Sequence, residues 1–232
     1  MLPEFILERA QELGLDLLAV TDHNSAENVA AMLKAAQGTG IAVLPGMEVQ
    51  TREEVHLICL FDTLEQVTYW QELVYAHLPR LKNKENVFGT QVVLNAEGEA
   101  VGTNDRLLAT SASLSVDQVV QRVRDLKGLC IPSHVDRPAY SLIANLGFIP
   151  PDLEVVGVEI SHLVGPKEAR ARFPQLEQYS LVASGDAHRL KEMARRTTLK
   201  MDEPTVAELA LALAGTGGRG VWVDGIQSLG VR

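Results

Sequence analysis

Four of the six histidines, His23, His134, His162 and His188, fall at or just after the end of an apolar run. Leu17-Leu18-Ala19-Val20 leads into Thr21-Asp22-His23-Asn24, and Leu181-Val182-Ala183 leads into Ser184-Gly185-Asp186-Ala187-His188. Glu48, Glu159 and Asp186 occupy comparable places. Imidazoles and carboxylates delivered to one edge of a sheet are the donor set that suits Zn²⁺, Mn²⁺ or Fe²⁺. A carboxylate shared by two such ions is the usual core of a hydrolytic site, where the ions acidify water and clamp phosphoryl oxygens. Each residue also has an ordinary reading. Asp22 or Asn24 before a helix is a natural N-cap, and a single histidine at a strand end is usually a satisfied imidazole. Asp22 is also suited to accept a hydrogen bond from a ligand histidine. The joint placement favours ligands at His23, Glu48, His56, His134, Asp186 and His188, and leaves His162 open.

The elements that must position these residues follow from periodicity and punctuation. A short helix over 3–13 stops at Gly14, and a strand over 15–21 follows. Ser25 or Asn24 is expected to cap a helix over 26–37, and a strand covers 41–49. The polar stretch Thr51-Arg52-Glu53-Glu54 then separates two apolar runs. Strands joined by so few residues are antiparallel neighbours, which brings His56 beside Glu48. Thr63-x-x-Gln66 and Ser115-x-x-Gln118 are capping boxes for helices over 64–77 and 116–127. The stretch 79–112, with a small hairpin around Asn95–Gly98, reads as an insertion on a single domain. Strands over 129–134, 155–161, 180–185, 197–201 and 220–224 alternate with helices over 139–146, 166–172 and 205–214. That rhythm predicts an α/β fold with a mainly parallel sheet, more readily an irregular TIM-like barrel than an open sheet.

The chain has 232 residues, 46% of them hydrophobic, which suffices for one sizeable core. A net charge of −9 argues against nucleic acid as a partner, since phosphate backbones need clustered Lys and Arg. It leaves room for a small phosphorylated substrate. No long apolar segment calls for a membrane, and Met1–Phe5 lacks the marks of a signal peptide. Cys59 and Cys130 lie inside apolar runs and read as buried thiols of a cytoplasmic protein.

Taken in order, Thr21-Asp22-His23-Asn24, Gly46-Met47-Glu48, Val55-His56-Leu57, Ser133-His134-Val135-Asp136 and Ser184-Gly185-Asp186-Ala187-His188 resemble the motifs of the PHP (polymerase and histidinol phosphatase) family. The segment Pro132–Ser141 is similar to one in the small stand-alone PHP phosphoesterases of bacteria. The resemblance implies a distorted TIM-like (β/α)7 barrel and hydrolysis of a small phosphomonoester or nucleotide by metal-activated water. It implies one to three divalent ions, Zn, Mn or Fe. Glu48 would be the bridging carboxylate, completed at one ion by His56 and His134. Asp186 would serve a second ion, and His23 and His188 a third. Catalytic roles would fall on Asp186, His188 and Arg137. Arg137 and Arg189 follow ligands closely enough to hold a substrate phosphate, as His162 is placed to do, although surface ion pairs explain the arginines equally well. The family opens with a strand ending in His-x-His, and no histidine precedes His23. A missing first strand is therefore expected, either because the natural protein is longer or because the domain is degenerate. Two alternatives accompany the hydrolase reading: a non-catalytic metal-binding or regulatory module, and an exonuclease-type domain.

Overall fold

A computed structural model describes residues 1–224. After α1 (Pro3–Leu13), β1 (Leu17–Val20) and β2 (Ala42–Gln50) pair in parallel, with α2 (Val29–Ala35) carrying the chain back between them. β2 is the spine of the sheet and is buried from Leu44 to Val49. A strand covered on both faces reads as a continuous apolar run, as this one does. Gly46 makes that covering possible. A Cβ there would sit 2.9 Å from Thr21 Cγ2 and 3.0 Å from Leu60 Cδ2.

The short polar turn after β2 sends β3 (His56–Leu60) back antiparallel, in the register Gln50↔His56 and Glu48↔Ile58. His56 therefore reaches Glu48 diagonally, not from the directly opposite position. β6 (Leu129–Pro132) pairs antiparallel with β3, giving the order β1-β2-β3-β6. Cys59 and Cys130 face each other across β3 and β6 as free, buried thiols.

α3 (Leu64–His77) packs Val67, Trp70 and Val74 into the main core, beside Met47, Val49 and Phe61. Both capping boxes form completely. Thr63 Oγ1 accepts from Gln66 N–H (3.2 Å) while Gln66 Oε1 accepts from Thr63 N–H (2.9 Å). Ser115 and Gln118 repeat this (3.2 and 2.9 Å) at the start of α5 (Val116–Asp125). Replacing Thr63 by Ala should cost about 1 kcal/mol in urea unfolding, because Gln66 N–H in the first turn of α3 loses its acceptor. A change within error would mean that the box adds nothing.

Between α3 and α5 lie a one-turn helix, α4 (Glu85–Phe88), which the pattern does not reveal, and the hairpin β4 (Val92–Leu94) with β5 (Ala100–Thr103). Leu94 N–H donates to Asn28 Oδ1 (2.9 Å), which fastens the hairpin to the start of α2. Beyond β6 and α6 (Leu142–Leu146), β7 (Gly157–Ile160) and β8 (Ser180–Ala183) pair in parallel around α7 (Pro166–Arg172). β9 (Thr197–Lys200) and β10 (Gly220–Val223) pair antiparallel around α8 (Val206–Ala214). The Thr197 hydroxyl accepts from Ala183 N–H (2.9 Å) and donates to Ala183 C=O (2.7 Å), tying β9 to β8. β7 lies beside β6, where Val135 N–H donates to Glu159 C=O (2.8 Å).

Two expectations change. The sheets are not mainly parallel, because the short turn after β2 reverses β3, and β6 then joins β3 rather than β2. Strand pairing among the described residues leaves one four-stranded and three two-stranded sheets, so no closed (β/α)7 barrel is seen; the fold is mixed α/β. No described helix is long and apolar enough to cross a membrane.

Candidate metal centre

Glu48 lies well inside β2, buried, with its two carboxylate oxygens facing different histidines. Oε1 is 3.2 Å from His56 Nδ1 and 3.6 Å from His134 Nε2, whereas Oε2 is 3.3 Å from His23 Nδ1. The three imidazoles come from three places. His23 follows β1 and bridges to Glu48 in parallel fashion, His56 opens β3, and His134 follows β6. Because β3 runs opposite to β1, β2 and β6, its first residue meets their C-terminal ends at one edge. The rings of His23 and His56 lie 5.0 Å apart, and those of His56 and His134 5.4 Å apart.

Burial opposes ionisation of Glu48, but hydrogen bonds from His134 and His56 and the fields of His56 and His23 outweigh it and hold the carboxyl well below its usual range. Burial lowers the pKa of His23 more than the charge of Glu48 raises it, which favours the neutral imidazole that binds metals. The spacing also fits an ion. One ligand atom from each of His23, Glu48 and His56 lies within 4.8 Å of the others. Donors about 2.0–2.2 Å from a tetrahedral centre stand roughly 3.3 Å apart, and the contacts to Glu48 are 3.2–3.6 Å. His134 Nδ1 is buried without a hydrogen-bond partner. His134 is not one of that trio, but it approaches the same Oε1 as His56, at 3.6 Å.

The other expected residues are placed differently. Asp186 Oδ2 pairs with Arg137 at 2.6 Å, and its Oδ1 lies 3.9 Å from His188 Nδ1, so the carboxylate is turned toward a guanidinium and the rim histidine rather than toward Glu48's trio. Its charge still reaches His23. His188 is largely exposed, with its ring 6.2 Å from that of His23 and its Nδ1 3.0 Å from Asp186 C=O. Arg189 is exposed and forms no ion pair among the described residues. His162 joins none of these interactions, and its Nδ1 is buried without a partner. Asp22 accepts from Asn28 Nδ2 (3.1 Å) rather than from a histidine.

Neither Asn24 nor Ser25 caps α2, whose N-cap position is Asn28. Asn24 is fully buried at φ 50°. Its Nδ2 donates to Leu108 C=O and Thr110 C=O (both 2.8 Å), and its Oδ1 accepts from Gln50 N–H (3.1 Å). It locks the loop carrying His23 onto β2 and onto the 79–112 stretch. Glu159 is a second residue whose role the pattern does not show. Its buried carboxylate accepts from His134 N–H (3.1 Å) and from the Ser184 hydroxyl. Burial pushes its pKa up to about 6 against those hydrogen bonds and the field of His134. Four non-glycine residues here have positive φ: Asn24, His134 (32°), Tyr140 (56°) and Asp186 (44°). Such backbone persists where surrounding structure imposes it, and it gathers at functional sites.

A family model for the PHP domain matches residues 1–141. The fold is similar to that of the lesion-specific endonuclease EndoQ of Pyrococcus furiosus, with a TM-score of 0.65 at 19% identity, covering 95% of this chain and 53% of that one. It is also similar to Endonuclease Q bound to a 27-mer duplex with an abasic lesion at its active site, with a TM-score of 0.61 at 19% identity, covering 93% and 52%. A candidate metal-dependent phosphoesterase from Bifidobacterium adolescentis aligns with a TM-score of 0.50 at 17% identity, covering 81% and 82%. The chain thus spans about half the length of the two endonuclease structures. No curated protein matches it. The argument from acidic composition against nucleic acid does not stand, because this fold occurs in a protein that holds duplex DNA. Net charge sums the whole chain, whereas nucleic-acid binding depends on the local field.

Proposed function

The chain belongs to the PHP domain family, and from that premise we propose that it hydrolyses phosphate esters with divalent metal held at Glu48. The observation that carries this reading is one buried carboxylate whose two oxygens each meet imidazoles from separate strands. Bound there, the ions would supply Lewis acidity toward a phosphoryl oxygen and a more acidic water.

The protein's own part is placement. Glu48 offers Oε1 toward His56 and His134 and Oε2 toward His23, an arrangement suited to a bridging role. Arg137, partly exposed beside the cluster, is placed to take a substrate phosphate through its guanidinium fork. Asp186 orients that fork. His188 stands at the open rim, where it can complete a ligand set or move a proton at the leaving oxygen. The substrates that fit are nucleotide-type phosphate esters, and DNA is included because the EndoQ proteins share the fold.

A second reading has an observation of its own. The Arg137–Asp186 pair withdraws a carboxylate from the metal cluster, as a binding module without turnover would allow. One assay separates the two. Protein supplied with Mn²⁺ should release p-nitrophenol from p-nitrophenyl phosphate or its bis ester, and chelation should abolish the release. Bound metal with no release from either ester would favour the non-catalytic module.

A further inference from the structure

Tyr140 stands out at the rim of the cluster. Its ring stacks on His56, with centroids 4.9 Å apart and planes 21° apart. It is nevertheless 47% exposed. The imidazole covers one face, yet about half of the residue stays open to solvent.

The backbone beneath it is costly. Tyr140 sits at φ 56°, where a bulky residue is a true outlier. The turn is held from several sides. His56 N–H donates to Tyr140 C=O (3.0 Å), Arg137 N–H donates to His134 C=O (2.9 Å), and Ser141 Oγ donates to Arg137 C=O (2.7 Å). Ser141 Oγ also accepts from Ala144 N–H (3.1 Å) as the cap of α6. The segment between His134 and α6 thus spends strain to hold a half-exposed aromatic ring against His56. Burial does not explain the ring, since it stays half outside. Its hydroxyl has no hydrogen-bond partner among the described residues, so polar anchoring does not explain it either.

We propose that Tyr140 is a stacking platform for a nucleobase, which would make the substrate at this centre a nucleotide, free or within a strand. The inference rests on the phosphoester reading above and narrows it. Every base has a π-face, and stacking on an aromatic side chain tolerates sequence. A base on the face of Tyr140 away from His56 would sit beside the short segment that also carries Arg137 and His134.

Calorimetry of the full chain tests this with two pairs of probes. AMP against ribose 5-phosphate reports a free nucleotide. A short single-stranded oligothymidylate against an abasic strand of equal length reports a polynucleotide. In at least one pair the base should tighten binding about tenfold. Asn tolerates left-handed backbone, so Tyr140→Asn removes the ring and keeps the turn. This variant should bind both members of the pair alike, with the affinity for the base-free member retained. Tyr140→Trp should keep the preference. The pair that shows the effect identifies the source of the base. Equal binding of both members by the wild type overturns the platform and leaves phosphoester chemistry standing. An equal fall for both members in Tyr140→Asn also overturns it, since that is a structural effect. Absence of binding by all four probes overturns the phosphoester reading, and the platform with it.

Discussion

Glu48→Gln should lose metal affinity by about a hundredfold or more, while the protein stays folded. Changes one shell further out already cost 10–100-fold, and among the described residues Glu48 is the one carboxylate that meets all three clustered histidines. Glutamine keeps the shape and removes the charge. The readout is metal-dependent stabilisation: an ion present at a hundred times its dissociation constant stabilises the wild type by about 2.7 kcal/mol. For the variant at the same ion concentration the gain should fall below about 0.5 kcal/mol. A variant stabilised as much as the wild type would remove Glu48 from the centre. The metal-free proteins differ in the other direction with pH. The folded state holds the Glu48 carboxyl below its ordinary value near 4.5, so its contribution is present above that pH and is lost below it. Any advantage of metal-free wild type over the variant should therefore shrink as pH falls through and below that value.

Asn24→Ala should destabilise the protein by about 3 kcal/mol in denaturant unfolding, far more than the loss of an ordinary cap. Three hydrogen bonds of a fully buried side chain disappear, leaving Leu108 C=O, Thr110 C=O and Gln50 N–H without their partner. Alanine also tolerates φ 50° less well than asparagine does. Asn24→Gly relieves the backbone and keeps the loss of hydrogen bonds, so it should recover only part of the stability. Full recovery by glycine would assign the effect to conformation alone. A loss below about 1 kcal/mol for Asn24→Ala would show that the loop carrying His23 is held by other means.

Much of this molecule follows from local rules that act within a few residues. The helices at 64–77 and from 116 begin where Thr63, Gln66, Ser115 and Gln118 can satisfy end N–H groups reciprocally, and both boxes form. The turn Thr51–Glu54 is too short for a crossover, so β3 must return antiparallel and bring His56 back toward Glu48. Histidines at the ends of apolar runs reach the same edge because a buried strand ends where its apolar run ends. Those local effects made His23, Glu48, His56 and His134 legible as a group.

What the sequence alone could not settle depends on contacts between residues far apart in the chain. Asn24 reads as a helix cap because asparagine caps helices. The fold instead brings Leu108 and Thr110 to it, and three hydrogen bonds of a buried side chain outweigh one exposed cap. Asp186 reads as a metal ligand, and the fold adds a partner the pattern does not show: Arg137 lies 2.6 Å from its Oδ2 while Oδ1 stays 3.9 Å from His188. The stacking of Tyr140 on His56 and the hydrogen bond from His134 to Glu159 join segments that no periodicity connects. Spacing along the chain therefore determined which residue types reach the edge of the sheet. The tertiary structure decided which of them face Glu48, because distance and burial set the strength of these contacts.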